Sequence, residues 1–343
     1  MQDPTHRAGL GKELTHVSKL AVVALGGNAF TVENEAGRYE DQARHAAVMA
    51  ELIGGMLDDG WLLALVHGNG PQVGNLAIQQ EDGADLVPAQ PLFSLVAMTQ
   101  GELGSLITLA VRNATGRTDV TGVLSHVVVD QDDAAFAAPS KPIGPFLTEQ
   151  EAHRLATDRG WHIREDSGRG WRRIVASPRP VRITEVDAIR QLLRAGHVVV
   201  TGGGGGIPVV RGVGGEFECT DAVIDKDYVA AELAVAVGAQ ALVIVTAIDA
   251  VQLDFGTPRQ RPIAQMELDE AECHLAQGQF PEGSMGPKIR ASTYFLRHGG
   301  EVAVITTAAL AARGLRCTDP DDSSAGTRLV HRRAATSSEG STS

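Results

Sequence analysis

The chain reads as an α/β protein in which helices cover both faces of a mainly parallel sheet, with a small subdomain inserted part-way along. Three observations predict this. Apolar runs of strand length alternate with longer stretches of helical period, the signature of parallel strands joined by crossover helices. Glycine-rich loops directly follow three of those runs. One stretch, 131–180, breaks the alternation without becoming low in complexity.

The first run, 20–25, is continuously apolar, as a strand buried on both faces must be. An amphipathic helix is predicted over 46–59, a second strand over 61–66, a helix over 92–113 and one strand over 120–129. The stretch 131–180 is rich in proline and charge, contains Trp161 and Trp171, and shows only short periodic pieces such as 148–159. It is too long for an ordinary loop and reads as an inserted subdomain joined to the core near Val129 and Val181. Alternation then resumes, with helices at 185–195, 226–237 and 287–297 and strands at 197–201, 241–246 and 301–306. The expected division is a first part of the core at 19–130, the insert at 131–180 and a second part of the core at 181–330. Residues 1–18 and 331–343 read as disordered extensions.

Composition narrows the class of partner. A net charge of −12, with scattered arginines and 4% aromatic residues, argues against nucleic acid, which needs a basic face. Cys219, Cys273 and Cys317 lie far apart with no C-x-x-C pair, so neither a disulfide framework nor a zinc ribbon is indicated. No segment reads as a signal peptide or a membrane span, and a cytoplasmic protein without a membrane partner is expected.

The three loops are Gly26-Gly27-Asn28, His67-Gly68-Asn69-Gly70-Pro71-Gln72-Val73-Gly74, and Gly202 to Gly206 with Ile207-Pro208. In an open parallel sheet, ligands sit beyond the carboxyl ends of the strands, where bare backbone N–H groups and helix N-termini favour an anion. None of the loops spells G-x-x-x-x-G-K-[ST] or G-x-G-x-x-G, so phosphate is held in some other way than in a P-loop or a dinucleotide fold. The lysines sharpen this reading. Only five of the 30 Lys and Arg residues are lysine, and Lys12 and Lys19 belong to the polar start. Lys141, Lys226 and Lys288 remain, in Pro139-Ser140-Lys141-Pro142, Ile224-Asp225-Lys226-Asp227 and Met285-Gly286-Pro287-Lys288. A compact ammonium on a flexible stem suits a moving phosphoryl group better than a planar guanidinium does. Cys219 reads as a small buried residue, and His67 as a hydrogen-bonded strand-end histidine at least as readily as a base.

Several segments carry a family resemblance: Val22 to Ala29, His67 to Asn75, Ala97 to Gly101, Lys141 to Thr148, Glu165 to Arg172, Gly203 to Val210, Ala222 to Asp227 and Gly283 to Lys288. In this order the chain resembles the carbamate kinases of the amino-acid-kinase superfamily, and the insert resembles the protruding subdomain of that group. The resemblance implies the three-layer sandwich of the amino-acid-kinase fold. It also implies reversible phosphoryl transfer between ATP and carbamate, with Mg2+ accompanying ATP or ADP, run toward ATP from carbamoyl phosphate in arginine or similar catabolism. A homodimer is the implied assembly. Gly26, Gly27 and Asn28 with Lys226 and Lys288 would surround the transferred phosphoryl group, together with the Gly203, Gly204 and Gly205 loop. Gly68, Asn69 and Gly70 would cradle the carbamate, Asp227 would orient the two lysines, and Lys141 would reach in from the insert. Thr246, Ala247, Asp249 and Val251, with Gly283, Ser284 and Met285, would hold the nucleotide. No residue is expected to ligate a metal, because Mg2+ would be carried by the nucleotide phosphates. Another phosphotransferase of the superfamily and a non-catalytic nucleotide-binding regulator are the competing readings.

Overall fold

The computed structural model describes residues 19–26, 37–166 and 168–331. The first part of the chain holds β1 (Lys19–Leu25), α1 (Tyr39–Asp58), β2 (Trp61–His67), α2 (Gly70–Asp82), α3 (Leu92–Thr115), β3 (Val120–Gly122) and β4 (His126–Val129). Next come β5 (Lys141–Leu147), α4 (Glu149–Arg159), β6 (His162–Glu165), β7 (Trp171–Val175), β8 (Pro180–Ile183), α5 (Val186–Arg194) and β9 (Val198–Thr201). They are followed by β10 (Ile207–Arg211), β11 (Phe217–Cys219), α6 (Lys226–Val237), β12 (Ala241–Val245), β13 (Gln252–Leu253) and β14 (Arg261–Pro262). The last elements are β15 (Gln265–Glu267), α7 (Leu268–Ala276), α8 (Met285–Arg297), β16 (Val302–Thr306), α9 (Ala311–Arg316) and β17 (Thr327–Val330).

The central sheet runs β15-β17-β16-β12-β1-β2-β9-β3. The strands from β16 to β3 are mutually parallel, and only β17 and β15 run the other way. Side chains along β1 divide between two cores, as the two-residue period of a strand requires. Val22 and Ala24 face α6 and α8 residues such as Leu233 and Phe295, while Ala21, Val23 and Leu25 face Ile53 of α1 and Ile107 of α3. Helices therefore cover both faces. Because the strands from β16 to β9 are parallel, the loops after β1, β2, β9 and β12 all emerge on one rim.

The structure redraws some predicted elements. The single strand expected at 120–129 is two strands: β3 ends in the main sheet, and β4 lies in a second sheet ordered β11-β10-β4-β8. The pattern along a single stretch does not show a change of pairing partner. α1 starts at Tyr39 rather than near 46, and its mostly polar first turn carries no apolar stripe that would mark the start in the sequence. α2 begins at Gly70, inside the glycine-rich stretch His67 to Gly74 that reads as loop from sequence, because proline is well tolerated in a first helical turn. By length and composition alone α3 could cross a membrane, although Thr99, Gln100 and Glu102 interrupt its apolar residues. In the fold its Leu95, Val96, Leu103, Ile107 and Val111 are buried. Cys219 is exposed rather than buried, and the three cysteines are free.

Between β4 and β8 the chain builds a separate antiparallel sheet, β5-β7-β6, accompanied by α4. β4 and β8 pair with each other, Val127 against Ile183. This unit also packs on α2, where a Cβ added at Gly74 would lie 2.0 Å from the Gly144 nitrogen. Only a bare backbone lets helix and strand approach so closely.

Candidate active site

Three elements converge on the rim of the sheet. α6 opens at Lys226, with Asp225 as its N-cap accepting the Asp227 backbone N–H at 2.9 Å, the ordinary way to satisfy a helix's free donors. α8 opens at Met285 and carries Lys288 in its first turn, and β5 starts at Lys141. Lys226 Nζ donates to Asp227 Oδ1 at 2.7 Å, and Lys288 Nζ donates to Asp227 Oδ2 at 3.0 Å. Lys141 Nζ donates to Asp225 Oδ2 at 2.5 Å. Two neighbouring carboxylates thus gather three ammonium groups.

Burial sets the electrostatics of this cluster. The Asp227 side chain is 3% exposed, which by itself would raise its pKa, but Lys226 and Lys288 hold it well below the usual carboxylate range. Asp225 shows the same balance: burial opposes ionisation, Lys141 favours it, and the carboxyl ends below its ordinary value. Burial also lowers the Lys226 ammonium, helped by Lys288 and opposed by Asp227. For Lys288, burial pulls down, yet Asp227 and Asp225 together leave it above its ordinary value. Asp227 thus holds two like charges within reach of one point, and each lysine keeps donors for an incoming anion.

The cluster lines a cleft of about 330 Å3. Gly68, Asn69 and Gly70 form one wall, with Asn69 held by a 2.9 Å bond from its Nδ2 to Thr99 Oγ1. Gly26 directly follows β1, while Gly27 and Asn28 lie outside the described residues. Of the third loop, Gly204 alone lines the cleft, at φ 66° and so close to Asn69 that any side chain would displace the amide. Gly203 and Gly205 face away, because the space a Cβ would take is filled by the His67 ring and by the Ile224 carbonyl respectively. His67 is buried and accepts no catalytic position at the cleft wall; burial lowers its pKa to about 4, which leaves the ring neutral at pH 7.

Of the residues expected to hold the nucleotide, Thr246, Gly283, Ser284 and Met285 line the cleft. Ala247 is exposed just beyond Thr246. Asp249 is held by Thr306 and Thr307 at the end of β16, and the Val251 side chain is fully buried in the core. Neither of these last two residues lines the cleft, because the chain after β12 turns back to join the sheet through Thr327.

Sequence reasoning missed three participants. Asp225 had a readable signal, an N-cap type immediately before a helical run. Arg169 and Arg172 lie within the Glu165 to Arg172 segment, whose resemblance implies no role for them. Both guanidiniums cover the Phe146 ring, at 4.7 and 5.1 Å, and both pair with Asp166. Arg172 Nε is buried with no hydrogen-bond partner among the described residues, in a side chain that lines the cleft. Phe146 and Arg172 come from different strands, so nothing in the linear order announces their meeting.

Sheet, rim loops and lysine cluster define a phosphoryl-transfer fold, and a model of the amino acid kinase family matches residues 19–307. The chain belongs to the amino acid kinase family. Within that family it is similar to carbamate kinases. That of Pyrococcus horikoshii is 38% identical over 290 residues, which span 83% of this chain and 92% of that protein. The structure is similar to carbamate kinase from Giardia lamblia bound to citric acid, with a TM-score of 0.86 at 34% identity over 92% of this chain and 99% of that one. It is also similar to the Giardia protein bound to AMP-PNP, with a TM-score of 0.82 at 34% identity and the same coverage.

Proposed function

We propose that this protein is a carbamate kinase, transferring a phosphoryl group reversibly between ATP and carbamate and working toward ATP from ADP and carbamoyl phosphate. The observation that carries this reading is the gathering of Lys141, Lys226 and Lys288 around Asp225 and Asp227 at the cleft. In-line transfer leaves the protein little covalent work, so catalysis rests on positioning and on neutralising charge spread over the moving group. Lys226 and Lys288 take the phosphoryl group, joined by the amides of Gly26, Gly27, Asn28 and Gly204. Gly68, Asn69, Gly70 and Lys141 take the carbamate end, with Arg169 and Arg172 adding positive charge from the inserted unit. Thr246, Ala247, Gly283, Ser284 and Met285 take the nucleotide.

Mg2+ fits this reading as a companion of the nucleotide. Among the described residues no three His, Cys, Asp or Glu side chains could hold a metal together, and Asp225 and Asp227 are occupied by lysines. Mg2+ keeps most of its waters and binds through substrate phosphates, where it would screen their charge. The same reading includes a cytoplasmic homodimer fed by arginine or similar catabolism.

The test is ATP formation by purified protein from ADP, Mg2+ and carbamoyl phosphate. ATP appearing only with acetylglutamyl or aspartyl phosphate, or phosphorylation of UMP alone, would show a different acceptor. No turnover with any of these would favour a nucleotide-binding regulator.

A further inference from the structure

α2 ends in Glu81-Asp82, two acids where the helix dipole disfavours negative charge, and it has no basic residue in its last turn. The inserted unit supplies the missing cations. Glu81 Oε1 accepts from Arg173 of β7 at 2.8 Å, and Glu81 Oε2 accepts from Arg159 at 3.1 Å and from the Trp161 indole at 3.0 Å. Arg159 also pairs with Asp82. The Arg159 and Arg173 guanidiniums both lie over the Trp161 ring, 7% exposed, at 5.7 and 4.9 Å from its centroid. An isolated surface pair contributes little, but a carboxylate with three donors around a buried indole is a fixed joint. Seven residues earlier, about half a helix away, the same α2 packs backbone to backbone on β5 at Gly74 and Gly144. Its N-terminus is Gly70, in the acceptor loop, about 16 Å from Glu81 along the helix axis at the usual rise per residue.

We infer that Glu81 is a positioning residue for the phosphoryl transfer proposed above. It ties the inserted sheet to α2 so that Lys141 and the Gly68–Gly70 loop are carried as one body. The inserted unit is therefore not a lid swinging on its β4 and β8 stem alone. The joint fixes where the Lys141 ammonium stands relative to the acceptor loop, while the nucleotide wall is built from other elements. Its effect on catalysis runs through Lys141, and this gives it a signature that a general loss of stability lacks.

The inference rests on the carbamate kinase reading, and two measurements on the full chain keep the failures apart. In steady-state assays, Glu81→Gln should lower kcat/KM for carbamoyl phosphate about tenfold while leaving the KM for ADP unchanged, and in a Lys141→Ala background the same change should cost less than about twofold. Amide hydrogen exchange reads the joint without turnover: in Glu81→Gln, exchange in β5 and in the Gly68–Gly70 loop should rise together by about tenfold, with α6 and α8 unchanged. Additive kinetic effects, an equal rise in both KM values, or unchanged exchange in β5 overturns the inference. A wild type that makes no ATP from carbamoyl phosphate sinks the functional reading instead, and exchange still decides the joint. If Glu81→Gln does not fold, Arg173→Gln removes one donor from the other side and is held to the same criteria.

Discussion

The two walls of the cleft hold their positive charges by opposite means. On the sheet side, Lys226 and Lys288 spring from the first turns of two core helices and share one carboxylate that is nearly inaccessible to water. On the inserted side, Arg169 and Arg172 lie on one aromatic ring and share Asp166, and Arg169 is substantially exposed. Lys141 joins the two sides through Asp225. The sheet wall is preorganised by burial, so its charges need no rearrangement when phosphate arrives. The inserted wall is organised by stacking and by its joint to α2. A reaction with little covalent chemistry needs both, a fixed point for the moving group and a separate grip on a very small acceptor.

The largest expected effect comes from breaking the fixed wall. Lys288→Arg keeps the charge but replaces a point donor with a planar fork that cannot share Asp227 with Lys226 in the same geometry. Turnover should fall by about 10²-fold or more, the scale of losing one preorganised transition-state donor, with ADP affinity changed far less. Initial rates and ADP titration on the same protein check this. Wild-type turnover would remove Lys288 from the account.

The difference between the walls also explains what the sequence could reveal. The lysines stood out because they are rare among arginines, and the rim loops because a glycine run after an apolar strand needs no tertiary knowledge to be noticed. α6 was legible to the residue, since its apolar run, N-cap and terminal Gly238 agree. What remained hidden depends on the meeting of distant segments. The Glu81 joint is such a case, and so is the burial of Gly203 against His67. The family resemblance implies Val251 as a pocket residue, but its side chain is buried in the core. The split of 120–129 into β3 and β4 turns on a change of pairing partner, which linear order does not show.

A smaller effect probes the support beneath the fixed wall. Buried His67 fills the space beside Gly203, and its folded pKa of about 4 lies below the ordinary 6.5. The unfolded chain therefore takes up the proton first. The stability this neutral ring allows is fully present above pH 6.5 and is lost as pH falls from there toward 4, to a total of about 3 kcal/mol. Urea unfolding across that range should show the loss, and His67→Gln should flatten it. An equal slope in the variant would assign the acid sensitivity to other groups.

The most direct test of the division between the walls is calorimetric titration of ADP into Lys141→Ala. Lys141 belongs to the inserted wall, and in the proposed reading the nucleotide rests on the cleft-lining Thr246 and the Gly283–Met285 turn. The account predicts an ADP Kd within about twofold of wild type, because Lys141 pairs with Asp225 and not with Thr246 or the Gly283–Met285 turn, even though turnover of carbamoyl phosphate falls. Loss of ADP binding in this variant would place Lys141 at the nucleotide end and contradict the division.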